Sequence, residues 1–285
     1  MKELVIISGK GGTGKTSITA ALASLAEKIV LADCDVDAAD LHLVLCPRIV
    51  KQENFWGGKL ARIDLQRCTE CGRCREVCRF EAITTDYVVD AIACEGCGVC
   101  VWNCPVAAIS FEPRQSGVWY FSETSRGPMV HATLGIAEEN SGKLVTVVRR
   151  EARQQAENRG AELLLVDGPP GTGCPVIAAI GGADEVLIVT EPTVSAIHDM
   201  YRVWQLARHF QVHALLCINK WDLNEELTGS IEKFAAENGL PVVGKISFDR
   251  QVTQAQVAGK TVFELGDYKL QDEFLELWQN IRRFF

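Results

Sequence analysis

The chain has 285 residues, with 29 Lys and Arg against 37 Asp and Glu, a formal net charge of −8, and 47% apolar residues. That length suits one large α/β domain, alone or with a small module, and the apolar fraction excludes a disordered or fibrous chain. The acidic balance argues against nucleic acid as a partner, because such binding needs Lys and Arg to displace counterions from phosphates.

The N-terminus reads MKELVIISGKGG, and its apolar stretch is too short for a signal-peptide core, so a cytoplasmic chain is expected. Leu4-Val5-Ile6-Ile7 predicts a strand ending at Gly9, Ser17 to Lys28 has helical spacing, and Ile29-Val30-Leu31-Ala32 predicts a second strand ending at Asp33. The rhythm breaks between 59 and 112. Residues 113–142, rich in Gly, Ser, Pro and Glu, read as a connection back to the sheet. Leu163–Val166, Val186–Val189 and Leu215–Ile218 are apolar throughout, as strands buried on both faces should be. Helices are expected at 143–158, 175–181, 195–209 and 228–238, with Pro241–Gly244 opening another strand. The C-terminal run Phe274–Ile281 is apolar at helical spacing but lies among Asp272, Glu273 and Glu276. A membrane-surface helix carries a Lys/Arg-rich polar face instead, so core packing is expected and stable membrane association is not. No apolar run approaches the roughly 18 residues of a membrane span. Strands alternating with helices imply an α/β fold, a mainly parallel doubly wound sheet. Residues 1–58 and 113–285 would build it, around an inserted small α+β domain at 59–112.

Gly9-Lys10-Gly11-Gly12-Thr13-Gly14-Lys15-Thr16 matches the phosphate-loop pattern GxxxxGK[ST], between a predicted strand and a predicted helix. The glycines let successive N–H groups curl around phosphate oxygens, and the helix N-terminus adds its positive dipole end. Lys15 would reach the β- and γ-phosphates, and the Thr16 hydroxyl would ligate Mg²⁺.

With Lys10 as an extra lysine, this loop resembles the deviant Walker A loop of the MinD/ParA-type ATPases and the nitrogenase iron protein. The resemblance covers roughly 1–58 and 128–265. It implies that Lys10 crosses a dimer interface to the partner's nucleotide, so that an ATP-dependent homodimer is expected. It implies too that Asp35, in Leu31-Ala-Asp-Cys-Asp35-Val-Asp37, positions the attacking water. Asp167-Gly-Pro-Pro-Gly171-Thr-Gly173 resembles the Walker B and switch II segment of the Mrp/ApbC-type cluster carriers, which implies that Asp167 holds Mg²⁺ through water. Thr190-Glu-Pro-Thr193 resembles the family's next post-strand segment, in which His198 reads as a packed or surface helix residue. Asn219-Lys220-Trp221-Asp222 falls where the family recognises the base, and an Asn amide matches the N6/N7 edge of adenine. The string also satisfies the NKxD pattern by which GTPases read guanine, and ATP is favoured because the loop resembles an ATPase group.

Twelve cysteines make up about 4% of the chain, below the range of disulfide scaffolds. Eight of them lie between Cys68 and Cys104. Cys68-Thr-Glu-Cys71-Gly-Arg-Cys74-Arg-Glu-Val-Cys78, followed by Ala82-Ile83, recurs 26 residues later as Cys94-Glu-Gly-Cys97-Gly-Val-Cys100-Val-Trp-Asn-Cys104, followed by Ala108-Ile109. A CxxCxxC run can present three thiolates to one iron–sulfur cubane, whereas structural zinc uses paired CxxC elements. The doubled run resembles a bacterial two-[4Fe–4S] ferredoxin, in which the fourth cysteine of each run ligates the other cluster. The resemblance implies one cluster on Cys68, Cys71, Cys74 and Cys104, and a second on Cys94, Cys97, Cys100 and Cys78. Pro105 follows Cys104 as in that family, while Arg79 replaces the proline after Cys78. Cys34 and Cys217 read as small hydrophobes in strands, and Cys46 and Cys174 are unassigned.

The expected protein is therefore an ATPase that binds ATP, Mg²⁺ and two [4Fe–4S] clusters. Three roles fit it: maturation of iron–sulfur or related metallocofactors for a client protein, ATP-gated electron donation resembling that of the nitrogenase iron protein, and a redox-sensing positioning ATPase.

Overall fold

The computed structural model describes residues 1–135, 141–265 and 268–285. The first apolar run forms β1 (Lys2–Ser8), and the glycine loop leads into α1 (Lys15–Leu25), β2 (Ile29–Asp33) and the short α2 (Leu41–Leu45). Then come β3 (Arg48–Phe55), β4 (Gly58–Ile63), α3 (Arg73–Glu76), α4 (Val99–Trp102) and β5 (Ile109–Arg114). β6 (Gly117–Glu123) and β7 (Pro128–Leu134) precede α5 (Ser141–Arg159), β8 (Leu163–Pro170) and α6 (Cys174–Ile180). β9 (Glu185–Thr190), α7 (Val194–His209), β10 (His213–Asn219), α8 (Glu225–Glu237), β11 (Val242–Ile246), α9 (Arg250–Val257) and α10 (Tyr268–Ile281) complete the order.

The chain divides into two compact units, one comprising Met1–Gln52, Trp119–Thr133 and Ser141–Phe285, the other built on Glu53–Val118. In the first, the strands form a sheet ordered β11-β10-β9-β1-β8-β2-β7-β6-β3. From β11 to β7 every neighbouring pair is parallel. Register runs from Lys2↔Leu163 to Ile6↔Asp167 and from Ile29↔Leu163 to Asp33↔Asp167. This sets Asp33 and Asp167 side by side at the carboxyl ends of β2 and β8, the edge where ligands bind in parallel α/β sheets.

Period-two alternation sorts the buried side chains into two layers. Leu4, Ile6, Leu31, Leu165, Leu187 and Leu215 pack with Ile18 and Leu22 of α1 and with α10. Their strand neighbours Val5, Ile7, Val30, Leu164, Val166 and Ile188 are equally buried on the opposite face. There α5 packs on β2 and β8, α6 on β8 and β1, and α7 on β9 and β10. The sheet is thus wound on both sides. The apolar face of α10 (Leu270, Phe274, Leu277, Trp278, Ile281) is buried in the first layer. Gly244 makes room for it, since a Cβ there would meet the Leu277 side chain at 2.8 Å. No helix among the described residues is long and apolar enough to cross a membrane.

Two expectations are corrected. The stretch 113–142, read as connecting chain, carries two strands of the sheet, β6 and β7, joined by a turn in which the Thr124 N–H donates to Gly127 O at 3.1 Å. β3 was likewise not expected, because seven of its eight residues are exposed and its sequence RIVKQENF lacks an apolar run. The strand expected at Leu163–Val166 continues through Asp167 to Pro170. The extension passes so close to β1 that a Cβ on Gly168 would meet Ile6 O at 2.6 Å, a fit only glycine permits.

In the second unit β4 and β5 pair antiparallel from Gly58↔Arg114 to Ile63↔Ile109. Between them the chain repeats its own backbone at the 26-residue offset of the cysteines. Positive φ occurs at Glu70 and Gly96, at Gly72 and Gly98, and at Glu81 and Ala107. α3 and α4 match, as do the bonds Cys68 N–H to Asp64 O at 2.9 Å and Cys94 N–H to Asp90 O at 3.0 Å.

Phe274→Ala, which removes a side chain only 1% exposed, will cost about 3–5 kcal/mol, read as a lowered midpoint in urea unfolding. His131 of β7 yields a pH prediction. It stacks on Tyr120 and His42 with ring centroids 4.9 and 5.9 Å away, and its Nε2 lies 3.0 Å from the Ser122 hydroxyl. Burial, with the neighbouring His42, lowers its pKa from 6.5 to about 4. A folded value below the unfolded one means that stability is complete above about pH 6.5 and declines as pH falls toward 4. His131→Gln will flatten that part of the curve in urea titrations at pH 7, 6 and 5.

Candidate functional site

In the first unit the loop after β1 borders a cleft of about 370 Å³ lined by Gly11, Gly12, Gly14, Lys15, Thr16 and Asp35 from the expected set. Gly12 and Gly14 have φ of 78° and 93°, the left-handed conformation that lets backbone N–H groups turn inward. Both are held from outside the loop. Asn219 Nδ2 donates to Thr13 O at 2.7 Å, and a Cβ on Gly14 would lie 2.3 Å from that nitrogen. The Lys220 ammonium donates to Gly12 O at 3.0 Å. Gly9 sits so tightly on α7 that a Cβ would meet Asp199 Cβ at 2.3 Å.

Lys15 is buried, with its ammonium 3.6 Å from Asp35 Oδ2. Asp33, Asp35 and Asp167 are all buried nearby. Asp33 accepts the N–H groups of Asp35 and Leu41 at 3.1 and 3.2 Å, so it shapes the loop that carries Asp35. Burial pushes the Asp33 carboxyl well above the usual range, with Asp167 adding to the rise. Burial also raises Asp35, against the pull of Lys15. Asp167 is pushed up to about 6 by burial, although Lys15 and the Thr16 and Thr19 hydroxyls oppose the shift. Its Oδ1 accepts from Thr19 at 3.2 Å, whereas its Oδ2 is buried without a partner. An orphaned oxygen on a carboxyl that also interacts with the Thr16 hydroxyl, among more carboxylates than cations, fits a divalent ion such as Mg²⁺.

Lys10 is partly exposed and held within its own chain. It lies 2.9 Å from Glu191 Oε1 and donates to the Thr193 and Ser195 hydroxyls at 3.3 and 3.2 Å. Glu191 Oε2 also takes Lys220 at 2.8 Å. Burial would raise the Glu191 carboxyl, but hydrogen bonds from Lys220 and Lys10 outweigh it and hold the group below its ordinary value. Motif reading did not find this double partner, because glutamate after a strand carries no spacing signature. Asn219 lines the cleft, yet both ends of its amide serve the protein: Nδ2 holds Thr13, and Oδ1 accepts the Lys220 N–H at 3.1 Å. Asp222 accepts the Phe248 N–H at 2.7 Å. The cleft is also lined by Ser247, Phe248 and Asp249, and by Val252, Thr253 and Gln256 of α9. The sequence reading missed these as well. Their one local signal is Asp249, which caps α9 by accepting the Gln251 N–H at 2.8 Å. His198 is exposed and lies beside Asp199.

In the second unit the eight cysteines stand around two separate hollows. One is lined by Cys68, Cys71, Cys74 and Cys104, with Ile63, Tyr87 and Ile109. The other is lined by Cys78, Cys94, Cys97 and Cys100, with Ile83, Val89 and Phe111. Each hollow therefore takes three thiols from one run and the fourth from the other. The Glu70 N–H donates to Cys68 Sγ at 3.4 Å and the Ala108 N–H to Cys104 Sγ at 3.2 Å. Burial pushes up the thiols of Cys74 and Cys100, which occupy the same place in the two repeats. Among the described residues no three His, Cys, Asp or Glu side chains close into a group that could hold a single metal ion. Of the remaining cysteines, Cys34 and Cys217 are buried, and burial raises the Cys217 thiol to about 12, which leaves it inert. Cys46 donates weakly to the Leu43 and Gly259 carbonyls at 3.7 Å, and Cys174 is exposed.

A parallel doubly wound sheet with a phosphate-binding loop after its first strand defines a P-loop nucleotide-binding protein. The model of the CobQ/CobB/MinD/ParA nucleotide binding domain matches residues 4–262, and the chain belongs to this family of P-loop ATPases. An uncharacterized protein of Methanocaldococcus jannaschii is 33% identical over 286 residues, covering 99% of this chain and 97% of its own. An iron-sulfur cluster carrier protein of Pyrococcus horikoshii is 23% identical, over 98% of this chain and 85% of its own. Among solved structures, the septum site-determining protein MinD of Pyrococcus horikoshii, in complex with Mg-ADP, superposes with a TM-score of 0.60 at 18% identity, covering 98% of this chain and 95% of that one.

Lys15→Ala takes the cation away from a site built to hold phosphate. It will lower ATP hydrolysis by about 100-fold or more, measured as phosphate release.

Proposed function

We propose that the chain couples an ATP-driven homodimer switch to two [4Fe–4S] clusters and serves the maturation of iron–sulfur or related metallocofactors. The observation that carries this reading is the crossed grouping of eight cysteines in a P-loop ATPase chain. A four-iron cubane has an iron at each of four corners, so its ligands surround a hollow rather than converge on a point. Four thiols around each hollow, with backbone N–H groups directed at Cys68 and Cys104, fit that donor set. The relative named as an iron-sulfur cluster carrier supports the same role.

In the nucleotide site, Mg²⁺ held by Thr16 and, through water, by Asp167 would neutralise phosphate charge. The chain's own groups do the rest. Lys15 turns from Asp35 to the phosphates, which leaves Asp35 free to orient water. Lys10 reaches a partner's nucleotide only by leaving Glu191, Thr193 and Ser195, so dimer formation must outcompete three contacts made within the monomer. Asp222, which a guanine-reading NKxD motif would direct to the base, is engaged by the Phe248 N–H, and this favours ATP over GTP. Asn219 reaches adenine by exchanging its bond to Thr13 O, with the Ser247–Asp249 segment as the other polar edge of the cleft.

One observation favours a second reading, ATP-gated electron donation. Each hollow takes all four thiols from the protein, and a fully ligated cluster is kept rather than passed on. Anaerobic EPR titration of the clusters in nucleotide-free, MgADP and slowly hydrolysed MgATP-analogue states separates the two. Iron and sulfide will each measure about eight per chain. A shift of about 30–60 mV between nucleotide states, up to tenfold in a one-electron equilibrium, establishes the electron donor. Unchanged potentials leave maturation, with a client protein receiving the product.

A further inference from the structure

The two cysteine runs share a backbone but not a polarity. Arg67, Arg73, Arg75 and Arg79 stand in the first run, and the positions 26 residues on hold Ala93, Val99, Val101 and Pro105. Since the positive φ values and short helices match between the runs, the fold forms equally well with apolar residues at these places. It does not demand the arginines.

All four arginines are exposed. Arg67 donates to Val106 O at 3.5 Å, and Val106 and Arg73 both line the hollow of Cys68, Cys71, Cys74 and Cys104. Among the described residues, Arg73, Arg75 and Arg79 form no ion pair. No carboxylate lines this hollow. The other is lined by Glu95, with the Lys59 ammonium 5.1 Å from the centroid of its Phe111 ring. Glu70, Glu76 and Glu81 are interspersed in the first run and reduce it to a net +1 over 67–81, against −1 for Glu95 alone over 93–107. On a chain of net charge −8, the Arg67 and Arg73 guanidiniums at the hollow that includes the exposed Cys71 form a local exception. Their planar forks favour carboxylates.

We propose that Arg67 and Arg73, at the edge of this hollow, dock an acidic one-electron carrier protein, which delivers its electron to the cluster on Cys68, Cys71, Cys74 and Cys104. The inference rests on the cluster reading above. In the step the reduced carrier loses one electron and the cluster gains it, passing from the 2+ to the 1+ state, with no bond made or broken and no proton moved. The positive field next to this hollow favours the more negative, reduced cluster.

The test is anaerobic stopped-flow reduction of the full chain with its clusters, with flavodoxin hydroquinone as the acidic carrier and iron per chain counted beforehand. Arg67→Glu/Arg73→Glu, at the two arginines placed at this hollow, will slow the second-order rate about tenfold at low ionic strength, a difference that closes as salt is raised. The same charge change at Arg150 and Lys233 will leave the rate within about twofold of the unaltered chain. Should the reversed variant lose iron, Arg67→Gln/Arg73→Gln takes its place, with an expected slowing of about threefold. Equal rates in unaltered chain and variant, or equal slowing by the Arg150 and Lys233 changes, overturn the docking face and leave the clusters standing. A chain without iron overturns both.

Discussion

Three buried carboxylates at the ends of two parallel strands, faced by one buried lysine, set the terms for the nucleotide unit. Asp33 and Asp167 are register partners on β2 and β8, so the sheet itself brings like charges together where burial already opposes ionisation. Lys15 at 3.6 Å from Asp35 offsets part of this, and burial still holds Asp167 up at about 6. A site in that condition gains from a divalent cation and from phosphate, which together satisfy the carboxylates and the lysine. β1, β2 and β8, buried along their lengths, hold these groups together.

The loop above this site is stiffened by residues distant in sequence. Asn219 and Lys220 at the end of β10 hold the carbonyls of Thr13 and Gly12, and Glu191 at the end of β9 ties Lys220 to Lys10. Glu191 is thus a junction between the loop's outward lysine and the strand that braces its inner side. Any state in which Lys10 leaves Glu191 also changes the surroundings of Lys220. This gives the proposed switch a physical route from an intermolecular contact to the shape of the phosphate loop.

The second unit shows a duplicated backbone put to unequal use. Positive φ at three matched pairs of positions and matched capping bonds establish two copies of one turn, and the crossed cysteine hollows follow from placing those copies face to face. Side chains off the backbone pattern then distinguish the copies, arginine on one and valine, alanine and proline on the other. Geometry is repeated where ligation requires it, and charge differs where it does not.

Much of this was legible in the chain alone. The apolar runs announced β1, β2, β8, β9 and β10, the spacing of Gly9–Thr16 announced the phosphate loop, and the 26-residue repeat announced two matched turns of backbone. Each of these is local, because strand burial, loop curvature and a CxxCxxC turn are decided by residues next to one another. β3 was missed because an exposed edge strand carries little apolar signal, and β6 and β7 because the Gly, Ser, Pro and Glu around their short apolar runs read as connecting chain. Glu191, Ser247–Asp249 and the α9 residues of the cleft were missed for a different reason: strand order, not sequence distance, brings the ends of β9, β10 and β11 to the same edge of the sheet as the end of β1. The amide of Asn219 makes the same point, since its motif named a place at the cleft but only the packed sheet set Thr13 O against it. The sequence by itself determined which local shapes would form and which chemistry they could carry. The tertiary structure alone decided which side chains would be neighbours, because proximity across parallel strands depends on crossover order and register, which no local pattern contains.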